Sequence, residues 1–305
     1  MLAAALLLAA AGCQGGDGDG SSRPESPFTG EPAGRAPVLA VKVDNAAAAR
    51  PPTGLDRADI VYAEQVEGGL SRLMAVYSAH LPPTAGPVRS ARESDLELLR
   101  QFGRPALAYS GVQGRLQPAV DRAPLYPVTP GTAPRAYERS QDRAAPHNLY
   151  VRPAEALRAA PRASDAADIG FRFGAAPAGG RARTEQTVRY PAARFTFTWS
   201  GDGARWLVSM DGGPARTADG RRLAAATVVV QYVTVRPSRY HDRWGSVSPF
   251  TETVGSGRAL VLRDGRAYDA RWSRPGGGSG TAYRTPDGDR LPFARGPVWV
   301  VFAAR

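Results

Sequence analysis

Arg89, Ser90, Arg92, Glu93 and Asp95 crowd into the stretch "AGPVRSARESDLELLRQF", residues 85–102, just ahead of a helical pattern. Two chemistries fit such a group. Two guanidinium groups beside the free amides of a helix start make a mouth for carboxylate or phosphate oxygens. Alternatively Ser90 and Glu93, three residues apart, form a capping box that ties off two orphan amides, with the serine worth about 1 kcal/mol. Leu96, Leu99 and Phe102 supply the buried stripe of that helix. The helix accounts for Ser90 and Glu93. It does not account for Arg89 and Arg92, because cations at a helix N-terminus oppose its dipole. Neutralisation by Glu67, Asp44 or Asp95 is the competing structural explanation.

The other polar clusters lie at the ends of apolar runs. "DIVYAEQVE" and "LSRLMAVYS" read as two strands joined by Gly68 and Gly69 in a two-residue turn. In that register Gln65 faces Arg72, and Glu67 and Arg72 lie diagonally on one face, about 7–8 Å apart. Val61, Ala63, Met74 and Val76 follow on the same face. The pair is either an edge ion pair worth about 0–1 kcal/mol or the wall of a cleft. "VLAVKVDN" alternates like a strand and ends on Asp44 and Asn45, with Arg50 in the loop beyond. "APHNLY" carries His147 and Asn148; a histidine in such a loop is usually hydrogen-bonded structure, though it is the best proton carrier available. His80 and His241 stand in unrelated contexts, so no metal-ligand spacing is present. "VGSGRA" and "GGGSG" match neither a nucleophile elbow nor a phosphate loop.

These clusters sit on a chain long enough for two domains. Residues 38–160 mix strands with the helix at 85–102 and a second one in "RPAEALRAA". Residues 161–183, rich in Ala, Gly and Arg, read as a linker. Residues 184–305 hold short β-branched and aromatic runs punctuated by Asp-Gly pairs such as Asp211-Gly212 and Asp264-Gly265, the pattern of a small barrel or sandwich. The expected class is α+β: a mixed α/β N-terminal domain followed by a mostly β C-terminal domain.

The first residues, "MLAAALLLAAAGC", are too short an apolar run to span a bilayer, which takes roughly 20 residues, and end in a small-residue junction at Cys13. Residues 1–13 therefore read as a lipoprotein signal segment with Cys13 as the lipidation site. Residues 14–37, with little to bury, read as a flexible tether. That places the body outside the membrane, on the outer face of the cell membrane. Cys13 is the only cysteine, so no disulfide framework, Cys-ligated zinc or thiol nucleophile is available. The net charge of +11 does not gather on one helix or stripe, and Lys42 is the only lysine among 39 basic residues. The charge suits diffuse attraction to anionic wall polymers better than specific nucleic-acid recognition.

Three blocks in order, "VKVDNAAAARPPTGLDRADIVYAEQVEGGLSRLMAVYS", "GPVRSARESDLELL" and "APHNLY", resemble the N-terminal domain of the YerB-like lipoproteins of Gram-positive bacteria. "TVVVQYVTV", "VGSGRALVLRDGRAYDARWSR" and "PVWVVF" resemble that family's C-terminal domain. The resemblance implies an exported, membrane-tethered protein of two domains and brings no reaction with it. It groups Asp44, Asn45, Arg50, Glu67, Arg72, Arg89, Arg92, His147 and Asn148 as one ligand-binding cluster, because those blocks carry them. The leading expectation is non-catalytic binding of an anionic wall component or an envelope protein, with no cofactor and no metal. Two other readings stay open: a wall-glycan hydrolase with Glu67 as general acid and Asp44 as second carboxylate, and a scaffold whose charges only hold the domain together.

Overall fold

The computed structural model describes residues 24–242 and 245–305. Strands dominate. In the first half these are β1 (Leu39–Asp44), β2 (Ile60–Gln65), β3 (Ser71–Tyr77), β4 (Ala106–Ala108), β5 (Tyr126–Val128), β6 (Tyr137–Arg139) and β7 (Leu149–Val151), with helices α1 (Glu93–Leu99), α2 (Gln117–Arg122) and α3 (Pro153–Ala159). The second half contributes β8 (Arg181–Ala182), β9 (Glu185–Tyr190), β10 (Ala193–Ser200), β11 (Arg205–Met210), β12 (Gly213–Pro214) and β13 (Ala224–Ala225). It continues with β14 (Thr227–Val233), β15 (Val235–His241), β16 (Val247–Thr251), β17 (Gly255–Arg263), β18 (Arg266–Arg274), β19 (Ala282–Arg284) and β20 (Val298–Ala304).

One mixed sheet runs through both halves in the order β19-β18-β17-β14-β20-β2-β3-β1-β4-β5, with β8 added beside β18. The junction is β20 against β2, parallel, with Ile60 opposite Val298 and Ala63 opposite Val301. Both faces of this sheet are covered, which is why its central strands read as nearly continuous apolar runs. Val61, Leu73, Val230 and Trp299 point to one face, which α3, the β6–β7 hairpin and the β12-β11-β10-β9 sheet cover. Tyr62, Met74, Val229 and Phe302 point to the other, beneath Leu98 and Leu99 of α1, Val120 of α2, Phe28 and Tyr240. The C-terminal half is thus neither a separate barrel nor a sandwich of its own. Six of its strands extend the N-terminal sheet, and its second sheet packs Phe195 and Phe197 edge-on against Trp299.

The segment expected as a tether divides. Residues 14–23, like the signal segment and Cys13, lie outside the described residues, while 24–37 are folded onto the body. Phe28 is fully buried, its ring 5.4 Å from that of Phe102 and perpendicular to it. The supposed linker is also packed, with Ile169 and Phe171 in the core. A few large apolar side chains in a Gly- and Pro-rich run were enough to anchor it.

Two local expectations change. The β2–β3 connection is a longer loop, in which Val66 N–H donates to Leu70 O and both Gly68 and Gly69 take left-handed angles (φ 67° and 70°). Its register pairs Gln65 with Ser71 and Glu64 with Arg72. That is one residue off the two-residue turn, and a slip of one moves every side chain of β2 to the opposite face. Val61 and Ala63 therefore lie opposite to Met74 and Val76, not with them. With both faces apolar, the alternation carried no register information. The start of α1 also moves: Arg92 is its N-cap, and the Asp95 carboxylate accepts the Arg92 N–H at 2.7 Å. Ser90 lies beside Ser110, and Glu93 accepts a hydrogen bond from Ser238 at 2.5 Å.

Candidate functional site

β1 ends at Asp44, β2 runs into the Glu67 turn, and β3 begins beside Arg72, so three neighbouring strands deliver charged side chains to one end of the sheet. The loop before α1 brings Arg89 and Arg92 to the same end. Together they line a cleft of about 780 Å³, closed on its other side by Gln113 and by Tyr240, His241 and Ser248 of the β15–β16 hairpin. Asp44, Glu67, Arg72, Arg89, Arg92 and His147 all line it. Asn45, Arg50 and Asn148 do not. Asn45 donates to Ser71 Oγ at 2.9 Å, Arg50 Nη2 bonds the Asn45 carbonyl and lies 2.8 Å from Asp211, and Asn148 accepts from Arg139. These three brace the loops behind the cleft.

The arginines converge but are unequally paired. Arg92 grips Glu67 with two parallel bonds, Nε to Oε1 at 2.6 Å and Nη2 to Oε2 at 2.9 Å, and Ser248 Oγ donates to the same carboxylate. Asp44 Oδ2 lies 2.8 Å from His147 Nδ1 and 3.1 Å from Arg89 Nε. The Arg89 contact is close enough for an ion pair yet lacks hydrogen-bond alignment, and that buried Nε has no hydrogen-bond partner. Arg72 is 8% exposed, and its one hydrogen bond runs from Nη1 to the Ser90 carbonyl at 3.3 Å. Among the described residues no carboxylate lies within ion-pair distance of it.

The electrostatics follow from this geometry. Burial acts to raise the Glu67 carboxyl, but the bonds and charge of Arg92, the Ser248 hydroxyl and the Arg72 charge outweigh it and hold the pKa down at about 2. A carboxyl so acidic carries no proton to donate at neutral pH, so the general-acid role loses its support. Burial pulls the Arg72 guanidinium down to about 10, with the Arg92 charge adding to the effect. It remains a cation at neutral pH. With Glu93 and Asp95 in its first turn, α1 is already complemented by carboxylates, so the unspent attraction for an anion resides in the arginines.

A second ionic group lies under the cleft. Lys42 in β1, fully buried, contacts Glu64 in β2 and lies 2.7 Å from Asp95 in α1, also fully buried. Sequence reasoning passed over this triad, although a lone lysine in the middle of an apolar strand signals a buried, paired charge. It also passed over Gln113, Tyr240 and Ser248 and set His241 apart from His147. The two histidines line one cleft, brought together by the packing of the β15–β16 hairpin over α1. Among the described residues no group of three or more His, Cys, Asp or Glu is arranged to hold a metal ion.

With the geometry in place, comparison with known proteins is informative. Residues 27–167 match the N-terminal domain of the family described as "Protein of unknown function (DUF3048)", and residues 186–300 match its C-terminal domain. The chain belongs to that family. It is similar to "Putative lipoprotein YerB" of Bacillus subtilis (strain 168), with 26% identity over 286 residues, 87% of this chain and 80% of the relative. A crystal structure of the Bacillus subtilis YerB protein superposes with a TM-score of 0.78 at 20% identity, covering 92% of this chain and 96% of that one. At that identity the likeness shows a shared fold. Both family regions contribute to the cleft, the first through the arginines and Asp44, the second through Tyr240, His241 and Ser248.

Proposed function

We propose that this chain is a lipid-anchored protein of the cell envelope, held at the outer membrane face through Cys13, whose cleft binds a ligand bearing a carboxylate or phosphate. The observation that carries the binding reading is Arg72. A guanidinium has five N–H donors, and this one, nine-tenths buried at a cleft wall, makes a single long hydrogen bond to a carbonyl. A desolvated cation with four donors unspent is an anchor for an oxyanion, and bidentate contact is what guanidinium geometry favours. Arg89 stands beside it, its Nε near Asp44 but without an aligned hydrogen bond. An anionic component of the wall meets this requirement. The anchor is supported by the apolar run ending at Cys13 and by the lipoprotein name of the relative. No helix among the described residues is long and apolar enough to cross a membrane.

The binding test uses the full chain carrying Cys13→Ser, titrated with inorganic phosphate and with solubilised wall fragments by calorimetry. Binding should fall at least tenfold in the Arg72→Met form that keeps its circular dichroism spectrum. Unchanged affinity in that variant refutes the anion site. Labelling with a radioactive fatty acid tests the anchor: label at Cys13 should vanish, and protein should appear in the medium, on Cys13→Ser substitution.

A further inference from the structure

Six buried side-chain polar atoms among the described residues have no hydrogen-bond partner, and two of them belong to residues that line the cleft. One is a donor, Arg89 Nε; the other is an acceptor, Gln113 Oε1. They come from different parts of the lining. Arg89 stands with Asp44 and His147 at the end of β1, whereas Gln113 lies beyond β4, its Nε2 3.4 Å from His241 Nδ1 of β15. A buried acceptor left without a donor is costly, and a ligand that supplies one gains affinity by it. The Gln113 oxygen therefore constrains the ligand independently of the arginines.

We propose that the ligand is a short peptide that sets its free C-terminal carboxylate against Arg72 and Arg89 and donates a backbone N–H to Gln113 Oε1. This rests on the anion-binding reading above and narrows it. A peptide end carries both groups within a residue or two, an oxyanion pair for the unspent guanidinium donors and an amide N–H for the orphan oxygen. A phosphodiester offers acceptors alone and leaves Gln113 unanswered, and a free phosphate has only a hydroxyl, not an amide N–H, to give it. Between the polar stations the lining is largely alkyl: Val66, Leu70, Ala91, Val112 and Leu116. Such walls accept a small apolar side chain. The 780 Å³ of the cleft falls in the range of small-ligand sites, about 300–1,000 Å³, and so fits a few residues of chain. Leu70, 43% exposed at the rim, extends the apolar surface to the mouth through which such a chain would enter.

The test is calorimetric titration of the full chain carrying Cys13→Ser with the tripeptide Ala-Leu-Ala as free acid, the same peptide as C-terminal amide, N-acetylmuramic acid and inorganic phosphate. The free acid should bind at least tenfold more tightly than the amide. Gln113→Leu, in a partly exposed loop and so tolerant of change, should weaken the free acid about tenfold and phosphate by clearly less. Equal binding of acid and amide overturns the proposal, as does a Gln113→Leu form that binds the free acid like the wild type. Phosphate or N-acetylmuramic acid binding that depends on Arg72, with no binding of either tripeptide, overturns the peptide and leaves the anion site standing. If none of the four binds, both fall.

Discussion

Lys42 and Asp95 are joined at 2.7 Å in the fully buried interior, and through them strand β1 fixes where helix α1 begins. Asp95 accepts the backbone N–H of Arg92 with its second oxygen, so the same carboxylate that pairs with Lys42 sets the residue whose side chain holds Glu67. Glu64 contacts Lys42 from β2 and is the cross-strand neighbour of Arg72. The cleft arginines thus rest on an ionic platform of one cation and two carboxyl groups.

Removing the cation should be severe. Lys42→Met keeps much of the volume but leaves two buried carboxyl groups facing each other, and breaking a buried ion pair on one side costs about 3–5 kcal/mol. Urea unfolding at pH 7 should show a loss of that order. A loss below about 1 kcal/mol would mean that the triad contributes little to holding β1 and α1 together.

The same triad predicts a pH slope. Burial, reinforced by the Asp95 charge and opposed by Lys42, pushes the Glu64 carboxyl up to about 7 from an ordinary value near 4.5. Between those values the folded chain holds a proton that the unfolded chain has released, so this group makes stability fall as pH rises from about 4.5 through 7. Asp59, raised to about 6 by burial against the opposing Ser78 and Ala79 N–H groups and His80, adds a slope of the same sign. Urea midpoints of the wild type should be lower at pH 8 than at pH 5. In Glu64→Gln the drop should shrink without vanishing; an unchanged drop assigns the slope to other groups.

Glu67 acts with the opposite sign and in a lower window. Its folded value near 2 lies below the ordinary 4.5, so its contribution is fully present above about 4.5 and is lost as pH falls toward 2. Glu67→Gln leaves a largely buried Arg92 without its carboxylate, and the expected cost at pH 7 is about 3 kcal/mol, the low end for a buried pair because Arg92 keeps some solvent contact. Unfolding followed at pH 7, 4 and 3 should show wild type and variant converging with acid. A constant gap would place the effect in packing.

How much of this was legible depends on whether a residue's partner was local. Asp44, Glu67, Arg72, Arg89, Arg92 and His147 reach one cleft because each ends or flanks an apolar run, and strand ends gather at sheet edges. Asn45, Arg50 and Asn148, adjacent in sequence to cleft residues, point elsewhere. The β2–β3 register was illegible because both faces of the sheet are apolar and two adjacent glycines allow several loop geometries. Tyr240 and Ser248 were invisible for another reason: they arrive with a hairpin more than a hundred residues from β1, and Gln113 arrives in the loop beyond β4, contacts no periodicity reports. Tyr232 and Val233 look like any sheet strand, and nothing in their sequence says that β14 continues the sheet of the other half.

The two glycines of the β2–β3 loop should respond differently to a methyl group. Both have positive φ, so alanine at either costs about 1 kcal/mol in backbone strain. A Cβ on Gly68 meets nothing within 4 Å, whereas one on Gly69 would lie 2.5 Å from Pro191 Cβ and 3.0 Å from Ala192 N. The Gly69 carbonyl also accepts the Ala192 N–H at 2.9 Å. Gly69→Ala is therefore expected to lose about 3 kcal/mol, strain plus overpacking, and Gly68→Ala only about 1. Equal midpoints in urea would contradict the close packing of this loop on the second sheet.

The shared sheet predicts that the N-terminal half does not stand alone. Cutting the chain after residue 160 removes β20, which pairs with β2 from Ile60 to Ala63, and strips Phe302 from its stack on Tyr62 at 5.8 Å between ring centres. It also removes Tyr190, whose hydroxyl donates to the Ala63 carbonyl at 3.0 Å. The bared β2 edge is long and apolar, the kind of surface on which chains aggregate. A fragment of residues 24–160 should be insoluble or unfold without a cooperative transition. In the intact chain all five tryptophans lie in the second half. Their fluorescence therefore follows that half while far-ultraviolet dichroism follows both, and the two should give coincident transitions in urea, the mark of one cooperative unit. A fragment with a sharp transition of its own, or separated transitions in the intact chain, would show instead that the β2–β20 junction is a docking seam between independent folding units.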